Sequence, residues 1–336
     1  MVKQALREAR SIAIVGLEKN TGKTTVLNHL VDVSGENRTL LLTSIGYDGE
    51  SVDQVTGTSK PRIFVPAGTL IATARKLLPR CTVEREILKT TGLSTAMGEV
   101  IVFRALSAGY VELAGPSLIK DMKNLVEGVL KDHECLPIID GALSRLSSAG
   151  HGLASHVILC TGASVDRSFS SIMERTLLAA EQLTFPKTRH AVDFQGVPAW
   201  LLGEKDIPVV SQIEGSLSSA EILNQWQEEP VLALKGLLSQ RMALDLLKWK
   251  GFTGRTVILE DSTRLMVTPA TFKKLKQRNI RFEVLESVKL PFIALNPTSP
   301  LGWTLNEAEA VKVLSASGVP VINVRRDQDG SYCQTT

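Results

Sequence analysis

The sequence predicts an α/β fold that consists of a mostly parallel sheet and a second, smaller α/β unit. Two patterns indicate this fold: short apolar runs alternate with segments of helical period, and several runs are apolar on both faces. Strands that alternate with helices form a parallel sheet covered on both faces. The alternation begins again near residue 228, and a chain of 336 residues is long enough for two domains.

In the first half, apolar runs predict strands and periodic segments predict helices. Strands are predicted at residues 11–16, 38–45, 61–68, 135–142 and 155–163, and the segment 197–210 closes this half. The segment 99–117 alternates and contains Ala-Gly, so a strand pair or hairpin is expected there. Helices are predicted at 24–33, 117–133 and 170–183. We expect this half to form one domain over residues 1–225.

Residues 228–326 are predicted to form the smaller α/β domain. Helices are predicted at 234–250, 269–279 and 305–317, and strands at 256–261, 281–286, 291–297 and 320–324. Residues 327–336 are polar and are expected to form a flexible tail.

Composition and charge exclude several classes of protein. A net charge of +3, without a basic block longer than Val324–Arg326, gives no reason to expect a nucleic-acid partner. No run approaches the ~20 apolar residues that span a bilayer, and Glu18 and Lys19 interrupt the first apolar run too early for a signal peptide. We expect a cytoplasmic protein without a membrane partner. Scattered cysteines argue against a zinc site or disulfides and fit a reducing compartment: Cys81, Cys135, Cys160 and Cys333.

The segment "SIAIVGLEKNTGKTTVLNHLV" carries the strongest motif. A predicted strand leads through a polar loop into Gly22, Lys23 and Thr24, and then into a predicted helix. In a phosphate-binding loop, backbone N–H groups and the helix N-terminus bind phosphate, a Lys neutralises it, and a hydroxyl binds Mg²⁺. The residues expected to bind nucleotide are Gly16, Asn20, Thr21, Gly22, Lys23, Thr24 and Thr25.

The spacing of the glycines is unusual. Five residues separate Gly16 from Gly22, where the usual P-loop has four. This spacing resembles the dethiobiotin-synthetase and MinD/nitrogenase-iron-protein branch of P-loop proteins, the SIMIBI class of NTPases. Members of that branch often carry a signature Lys five residues before the loop Lys. That position is Glu18 here and the nearest lysine is Lys19, so the dimer mechanism that the signature Lys serves is not expected.

Carboxylates that could hold Mg²⁺ follow two predicted strands. Asp140 ends an apolar strand, where an open sheet has its ligand crevice. Its "IIDGA" context resembles the strand of dethiobiotin synthetases whose acid binds metal; the alternative is an Asp that caps a turn. The resemblance also implies an acid near the γ-phosphate, in the loop after the second strand. Asp48 is favoured over Glu50 as the residue that binds Mg²⁺ or positions water. The alternative is that Asp48 is a solvated residue of a turn. Lys23, Asp48 and Asp140 are therefore the predicted catalytic residues, and Thr24, Asp140 and Asp48 the predicted metal ligands.

The predicted nucleotide is ATP. An Asn-Lys-x-Asp motif of the kind that reads guanine is absent from the sequence, which favours ATP over GTP. The turn Ala114–Ser117 precedes a predicted helix and is a candidate for a second anion or partner site.

Three segments together are similar to one particular family: "VGLEKNTGKTTVLNHL", "IIDGALSR" and "IALNPTSPLGW…VPVINV". They resemble the P-loop subunit of reactivases encoded beside adenosylcobalamin-dependent lysine 5,6- and ornithine 4,5-aminomutases. The resemblance implies an ATPase whose hydrolysis drives the release of damaged cobalamin, with an aminomutase and a second reactivase subunit as partners. The Asp-x-His-x-x-Gly motif of base-off cobalamin binding is absent from the sequence.

Two other functions stay open at the level of sequence. One is an ATP-dependent ligase or kinase that resembles dethiobiotin synthetase, with a substrate pocket beside Lys23 that uses Arg104 or the turn Ala114–Ser117. The other is a nucleotide-gated interaction protein with little hydrolysis of its own.

Overall fold

The computed structural model of the chain describes residues 1–35, 38–46, 62–141, 152–194, 196–203, 207–209, 222, 226 and 230–324. The chain divides into two compact units, and each is described by itself. The first comprises Met1–Ala180 and Val288–Thr336, and the second comprises Glu181–Ser287.

The strands of the first unit are β1 (Ile12–Gly16), β2 (Leu40–Ser44), β3 (Ile63–Val65), β4 (Leu70–Ala74), β5 (Arg85–Thr95), β6 (Gly98–Ala105), β7 (Gly109–Val111), β8 (Leu136–Asp140) and β9 (His156–Gly162). The second unit contains β10 (Ala199–Leu202), β11 (Ile207–Val209), β12 (Val231–Leu234), β13 (Leu238–Ser239), β14 (Thr256–Asp261), β15 (Leu265–Met266) and β16 (Arg281–Glu286). The chain then returns to the first unit with β17 (Ile293–Asn296) and β18 (Val321–Ile322).

The helices are α1 (Val2–Glu8), α2 (Lys23–Ser34), α3 (Ile119–Leu130), α4 (Phe169–Leu183), α5 (Gln240–Lys248), α6 (Pro269–Gln277) and α7 (Glu307–Leu314). Three of them begin where a side chain caps the first turn: Ser239 for α5, Thr268 for α6 and Asn306 for α7. Proline follows Thr268 at the first helical position, where its missing N–H costs nothing.

One sheet forms the centre of the first unit. Its strand order is β18-β17-β9-β1-β8-β2-β4-β6-β5. The pairs from β18 to β4 are parallel, whereas β4–β6 and β5–β6 are antiparallel. The fold is therefore α/β with a large, mostly parallel mixed sheet, which confirms the predicted fold class at this level.

Both faces of this sheet are covered. Alternate residues of β1, Ile12 and Ile14, lie in one apolar core with Leu27 and Leu30 of α2. On the opposite face, α3 packs on β2 and β8, and α4 and α7 pack on β17. The central strand β1 is buried along its whole length, which explains its continuous apolar sequence.

The edge of the sheet differs from the prediction. The segment 99–117 contains β6 and β7, but these strands do not pair with each other: β6 pairs with β4 and β5, and β7 pairs with β3. The hairpin is formed instead by β5 and β6. Most residues of β5 are at least partly exposed, so its sequence lacks the apolar run by which the other strands were identified.

The second unit contains a five-stranded sheet with the order β11-β10-β12-β14-β16. Strands β12, β14 and β16 are parallel, and β10 is antiparallel to both β11 and β12. The predicted helix at 234–250 is shorter than expected, because residues 231–234 form β12 and α5 begins only after the cap Ser239.

The boundaries of the units differ from the predicted domains 1–225 and 228–326. Strands β10 and β11 belong to the second unit, and the C-terminal elements β17, α7 and β18 belong to the first. The physical reason is strand pairing: Ile293 and Leu295 of β17 lie beside Leu159 and Thr161 of β9, which buries both strands. The predicted tail 327–336 lies outside the described residues.

None of the described helices is long and apolar enough to cross a membrane.

A buried histidine lies at the amino end of β9. His156 is 4% exposed and its Nδ1 lies 3.0 Å from Ser155 Oγ. Burial lowers the pKa of His156, and the charge of Lys289 lowers it further, whereas Glu8 opposes this shift. Lys289 is itself 3.6 Å from the carboxylate of Glu8. The folded protein therefore favours the neutral imidazole.

We expect this histidine to make stability depend on pH below neutrality. Because the pKa of His156 is lower in the folded protein, the unfolded chain takes up the proton first, and stability declines as pH falls below about 6.5. One proton contributes a slope of at most about 1.4 kcal/mol per pH unit. Urea unfolding of His156→Gln between neutral pH and the mildly acidic range should show a shallower slope. The exposed His190 provides the control, and equal slopes for both variants would contradict this account.

Candidate functional site

The loop between β1 and α2 lies at the centre of one edge of the sheet. Because β1, β8, β9 and β17 are parallel, their carboxyl ends meet at this edge. The strand that follows β1 in the chain, β2, lies to one side of β1, whereas β17 lies to the other side, beyond β9. Doubly wound sheets bind their ligands outside the carboxyl ends of the strands where the order reverses in this way.

Two glycines and an asparagine determine the course of this loop. A Cβ atom at Gly16 would lie 2.5 Å from Thr21 Oγ1, so the loop closes too tightly for a side chain there. Asn20 and Gly22 both have left-handed backbone, with φ of 61° and 93°. Asparagine and glycine are the residues that adopt this conformation most readily. The loop for which sequence analysis predicted phosphate binding therefore makes a tight turn; its binding of phosphate stays a prediction.

The N-terminus of α2 presents donors at the end of this loop. Its cap residue is Gly22, and no side chain caps the helix. The N–H groups of Lys23, Thr24 and Thr25 belong to the first turn, which has no acceptors within the helix. With the helix dipole, these N–H groups are of the kind that can bind an anion, and Lys23 is the first residue of the helix.

Two other elements hold the loop in place through a single carbonyl group. Asn20 O accepts a hydrogen bond of 3.2 Å from Ser164 Oγ and one of 3.1 Å from Asn296 Nδ2. Ser164 follows β9, and Asn296 ends β17. The other end of the Asn296 amide, Oδ1, accepts from Thr298 at 3.0 Å, so its orientation is determined on both sides.

The first residues of the loop are held by α4. Arg175 donates to the carbonyl oxygens of Val165 at 3.0 Å and Leu17 at 3.5 Å, and it lies 3.6 Å from the carboxylate of Glu18. Glu18 occupies the position of the signature Lys and takes part in this local contact. Lys19, the next residue, is exposed.

Asp140 ends the strand next to β1. In the register of the sheet it lies between Ile14 of β1 and Ser44 of β2, and its carbonyl oxygen accepts from Ile45 N at 2.9 Å. The residue is partly exposed. A carboxylate at this position borders the same edge of the sheet as the loop that carries Lys23.

The buried thiol of Cys160 is influenced by two charged residues at this edge of the sheet. Burial raises the pKa of its thiol to about 12, while Lys23 lowers the pKa and Asp140 raises it. Both side chains therefore lie within electrostatic range of one buried sulfur atom. Lys23 follows β1 and Asp140 ends β8, the strand that pairs with β1, so both residues border the carboxyl edge of the sheet.

The donors present fit a magnesium–nucleotide. Mg²⁺ in such sites is held by one or two carboxylates, a hydroxyl, water and the phosphates of the substrate. Asp140 offers a carboxylate and Thr24 offers a hydroxyl. Among the described residues there is no group of three or more His, Cys, Asp or Glu side chains that could hold a metal by themselves. Asp48 and Glu50 lie outside the described residues.

Of the two features considered for a substrate pocket, Arg104 is placed differently from the expectation, whereas the turn Ala114–Ser117 lies beside the end of β2, where Gly46 N donates to Pro116 O at 3.1 Å. In the turn Ala114–Ser117, two of the amides are already hydrogen-bonded, Ala114 N to Thr73 Oγ1 at 2.9 Å and Gly115 N to Gly46 O at 3.2 Å. Arg104 lies opposite Leu70, the first residue of β4, and forms an ion pair with Glu86 at 3.0 Å. Because Leu70 begins a parallel strand, Arg104 borders the amino edge of the sheet, opposite to Lys23.

Sequence reasoning did not assign Arg175, Ser164 or Asn296 to the site. Asn296 was detectable in principle, because it is a polar residue at the end of an apolar strand, the same signal that identified Asp140. Its partner could not be known, since 276 residues separate it from Asn20. Arg175 has no local signal, because a single arginine on a helix is most often a solvated residue.

No family model, no curated protein and no solved structure matches this chain.

Asn296→Ala is expected to loosen the loop without unfolding the protein. It removes the hydrogen bonds to Asn20 O and from Thr298, which are worth about 1 kcal/mol each. Hydrogen exchange should show faster exchange for the amides of residues 17–25. Asn306→Ala, which removes the cap of α7 in the same unit, is the control and should leave these amides unchanged. Equal exchange in both variants would show that Asn296 does not hold the loop.

Proposed function

We propose that this protein is an Mg-ATP-dependent ATPase with a P-loop of the SIMIBI class. The observation that carries the proposal is the loop itself: a buried strand, a tight turn at Gly16, left-handed backbone at Asn20 and Gly22, and an uncapped helix that begins with Lys23. Backbone of this kind followed by Gly-Lys-Thr is suited to phosphate groups. The position of Asp140 on the neighbouring strand adds a ligand for the cation.

Each residue has a defined part in this proposal. When bound, Mg-ATP supplies a phosphoanhydride whose charge the cation partly neutralises. The N–H groups of the first turn of α2 and the ammonium group of Lys23 bind the phosphates. The hydroxyl of Thr24 and the carboxylate of Asp140 hold the cation, and Asp48 orients water or binds the cation as well. ATP is preferred to GTP because the chain lacks the Asn-Lys-x-Asp motif.

The order of the chain supports a coupling of nucleotide state to the second unit. That unit, Glu181–Ser287, begins in the last turn of α4 and ends before β17. Arg175 of α4 and Asn296 of β17 both contact the loop, so each covalent connection of the second unit begins near a residue that touches the phosphate site. Loops that order around a γ-phosphate and relax after hydrolysis commonly drive such changes.

The proposed task of this coupling is the remodelling of a protein partner. The resemblance to reactivases leads us to propose a cobalamin-dependent aminomutase as that partner, with a second reactivase subunit. The inserted unit equally supports a second candidate, a nucleotide-gated interaction protein with little hydrolysis. A ligase or kinase has less support, since Arg104 borders the amino edge of the sheet.

Lys23→Ala should abolish measurable binding of Mg-ATP, which corresponds to a loss of affinity of at least about 100-fold. The substitution removes the charge-assisted contacts to the phosphates. Isothermal titration with Mg-ATP measures the loss, and circular dichroism checks that the chain stays folded. Lys19→Ala is the matched control, since Lys19 is an exposed lysine of the same loop. Unchanged affinity in Lys23→Ala would refute the assignment of the site.

ATP turnover of the purified protein, with GTP as the control, distinguishes the candidate functions. The proposal expects slow hydrolysis of ATP that an aminomutase partner accelerates. Binding without turnover, even with the partner, would favour the gated interaction protein. Turnover that begins only when a small acid or amine is added would contradict the proposal and support a ligase or kinase.

A further inference from the structure

A short part of the second unit is strongly basic. Residues 240–281 contain ten Lys and Arg side chains and three Asp and Glu side chains, a net charge of +7, although the whole chain carries +3. This segment includes α5, β14, α6 and the first residue of β16. Such an asymmetry creates a local positive potential that a modest net charge conceals.

Helices α5 and α6 form a groove with a volume of about 940 Å³. One stripe of α5 lines it at positions i, i+3, i+4 and i+7. The facing side consists of two residues of α6 and the residue that follows this helix. The seven residues of these two sides are Arg241, Leu244, Asp245, Lys248, Lys274, Gln277 and Arg278. The stripe on α5 is about 10 Å long, two turns of helix.

The groove combines an apolar floor with a basic rim. The floor consists of Leu244, which is 36% exposed, and Leu247, which also lines the groove. Arg278 donates to Leu247 O at 3.4 Å and to Thr253 Oγ1 at 3.3 Å, which ties the end of α6 to the end of α5.

The charges of the rim are only partly compensated. Asp245 is the only carboxylate among the described lining residues, and it lies 2.7 Å from Lys248. Arg241 and Lys274 are exposed and form no ion pair with the described residues. They lie on different helices, so the two sides of the groove each present a cation.

We infer that this groove binds an acidic amphipathic helix of a partner protein. A helix with apolar residues at i, i+3 and i+4 places them on Leu244 and Leu247, while its carboxylates face Arg241 and Lys274. The proposal goes beyond the ATPase function and does not depend on it, because the groove belongs entirely to the second unit. It identifies the chemistry of the partner surface.

The lining favours a polypeptide over a nucleic acid. Single strands bind on aromatic side chains that stack with bases, and the described lining residues include no aromatic ring. An exposed leucine and a carboxylate at the centre of the stripe would oppose a phosphate backbone. Cations spread along two helices also suit an extended partner better than a single small anion.

The experiment selects helical peptides from a randomised display library against the full-length protein. The best peptides are then measured by fluorescence anisotropy against the protein and its variants. The proposal expects peptides rich in Asp and Glu, with Leu-like residues at helical spacing. Arg241→Glu/Lys274→Glu should weaken their binding by roughly tenfold or more, and salt should weaken it as well. Leu244→Asn should also weaken it.

The matched control is Lys250→Glu/Lys273→Glu. It makes the same change of net charge on exposed residues of the same segment that do not line the groove, and it should change the affinity less than about twofold. Lys23→Ala should bind the peptides with the same affinity as the unchanged protein. Peptide binding therefore tests the groove independently of the ATPase proposal. Selected peptides without acidic character, equal losses in both double variants, or a preference of the groove for poly(dT) would each overturn the inference.

Discussion

The carbonyl oxygen of Asn20 is the point on which the site depends. A carbonyl oxygen has two lone pairs, and here both Ser164 and Asn296 donate to it. Contacts within the loop, such as Thr21 Oγ1 donating to Glu18 O, are supplemented by these two hydrogen bonds from the ends of other strands and by the ion pair of Glu18 with Arg175. The strands β9 and β17 therefore complete a loop that begins on β1, and the parallel register of these three strands makes that possible.

The same contacts link the loop to the architecture of the chain. The loop is contacted by α4 before the second unit begins and by β17 after it ends. The position of β17 beside β9 depends on a glycine. A Cβ atom at Gly162 would lie 1.8 Å from Asn296 O, so only glycine allows the two strands to approach this closely. The chain therefore enters the second unit from α4 and leaves it towards β17, and both of these elements contact the loop. This covalent connection is the physical basis for the proposed switch.

The two units divide the chemistry between them. In the first, a single lysine and a carboxylate border one edge of a sheet, where a helix terminus supplies the remaining polarity. In the second, four cationic side chains and an exposed leucine line the groove of helices α5 and α6. Catalysis requires a few groups in defined geometry, whereas recognition of a partner requires area and complementary charge. The proposed ATPase, acting on a partner protein, would need both kinds of surface.

The sequence by itself determined the elements whose causes are local. The strands β1, β8 and β9, the helices α2 and α4, and the positions of Lys23 and Asp140 follow from apolar runs, helical periods and turn residues, each read within about twenty residues. Only the tertiary structure decided that β17 returns to the first sheet, that β6 pairs with β5, and that Asn296 lies on the loop. Pairing between strands far apart in the chain depends on which edges remain to be buried and in which register, and no local pattern contains that information.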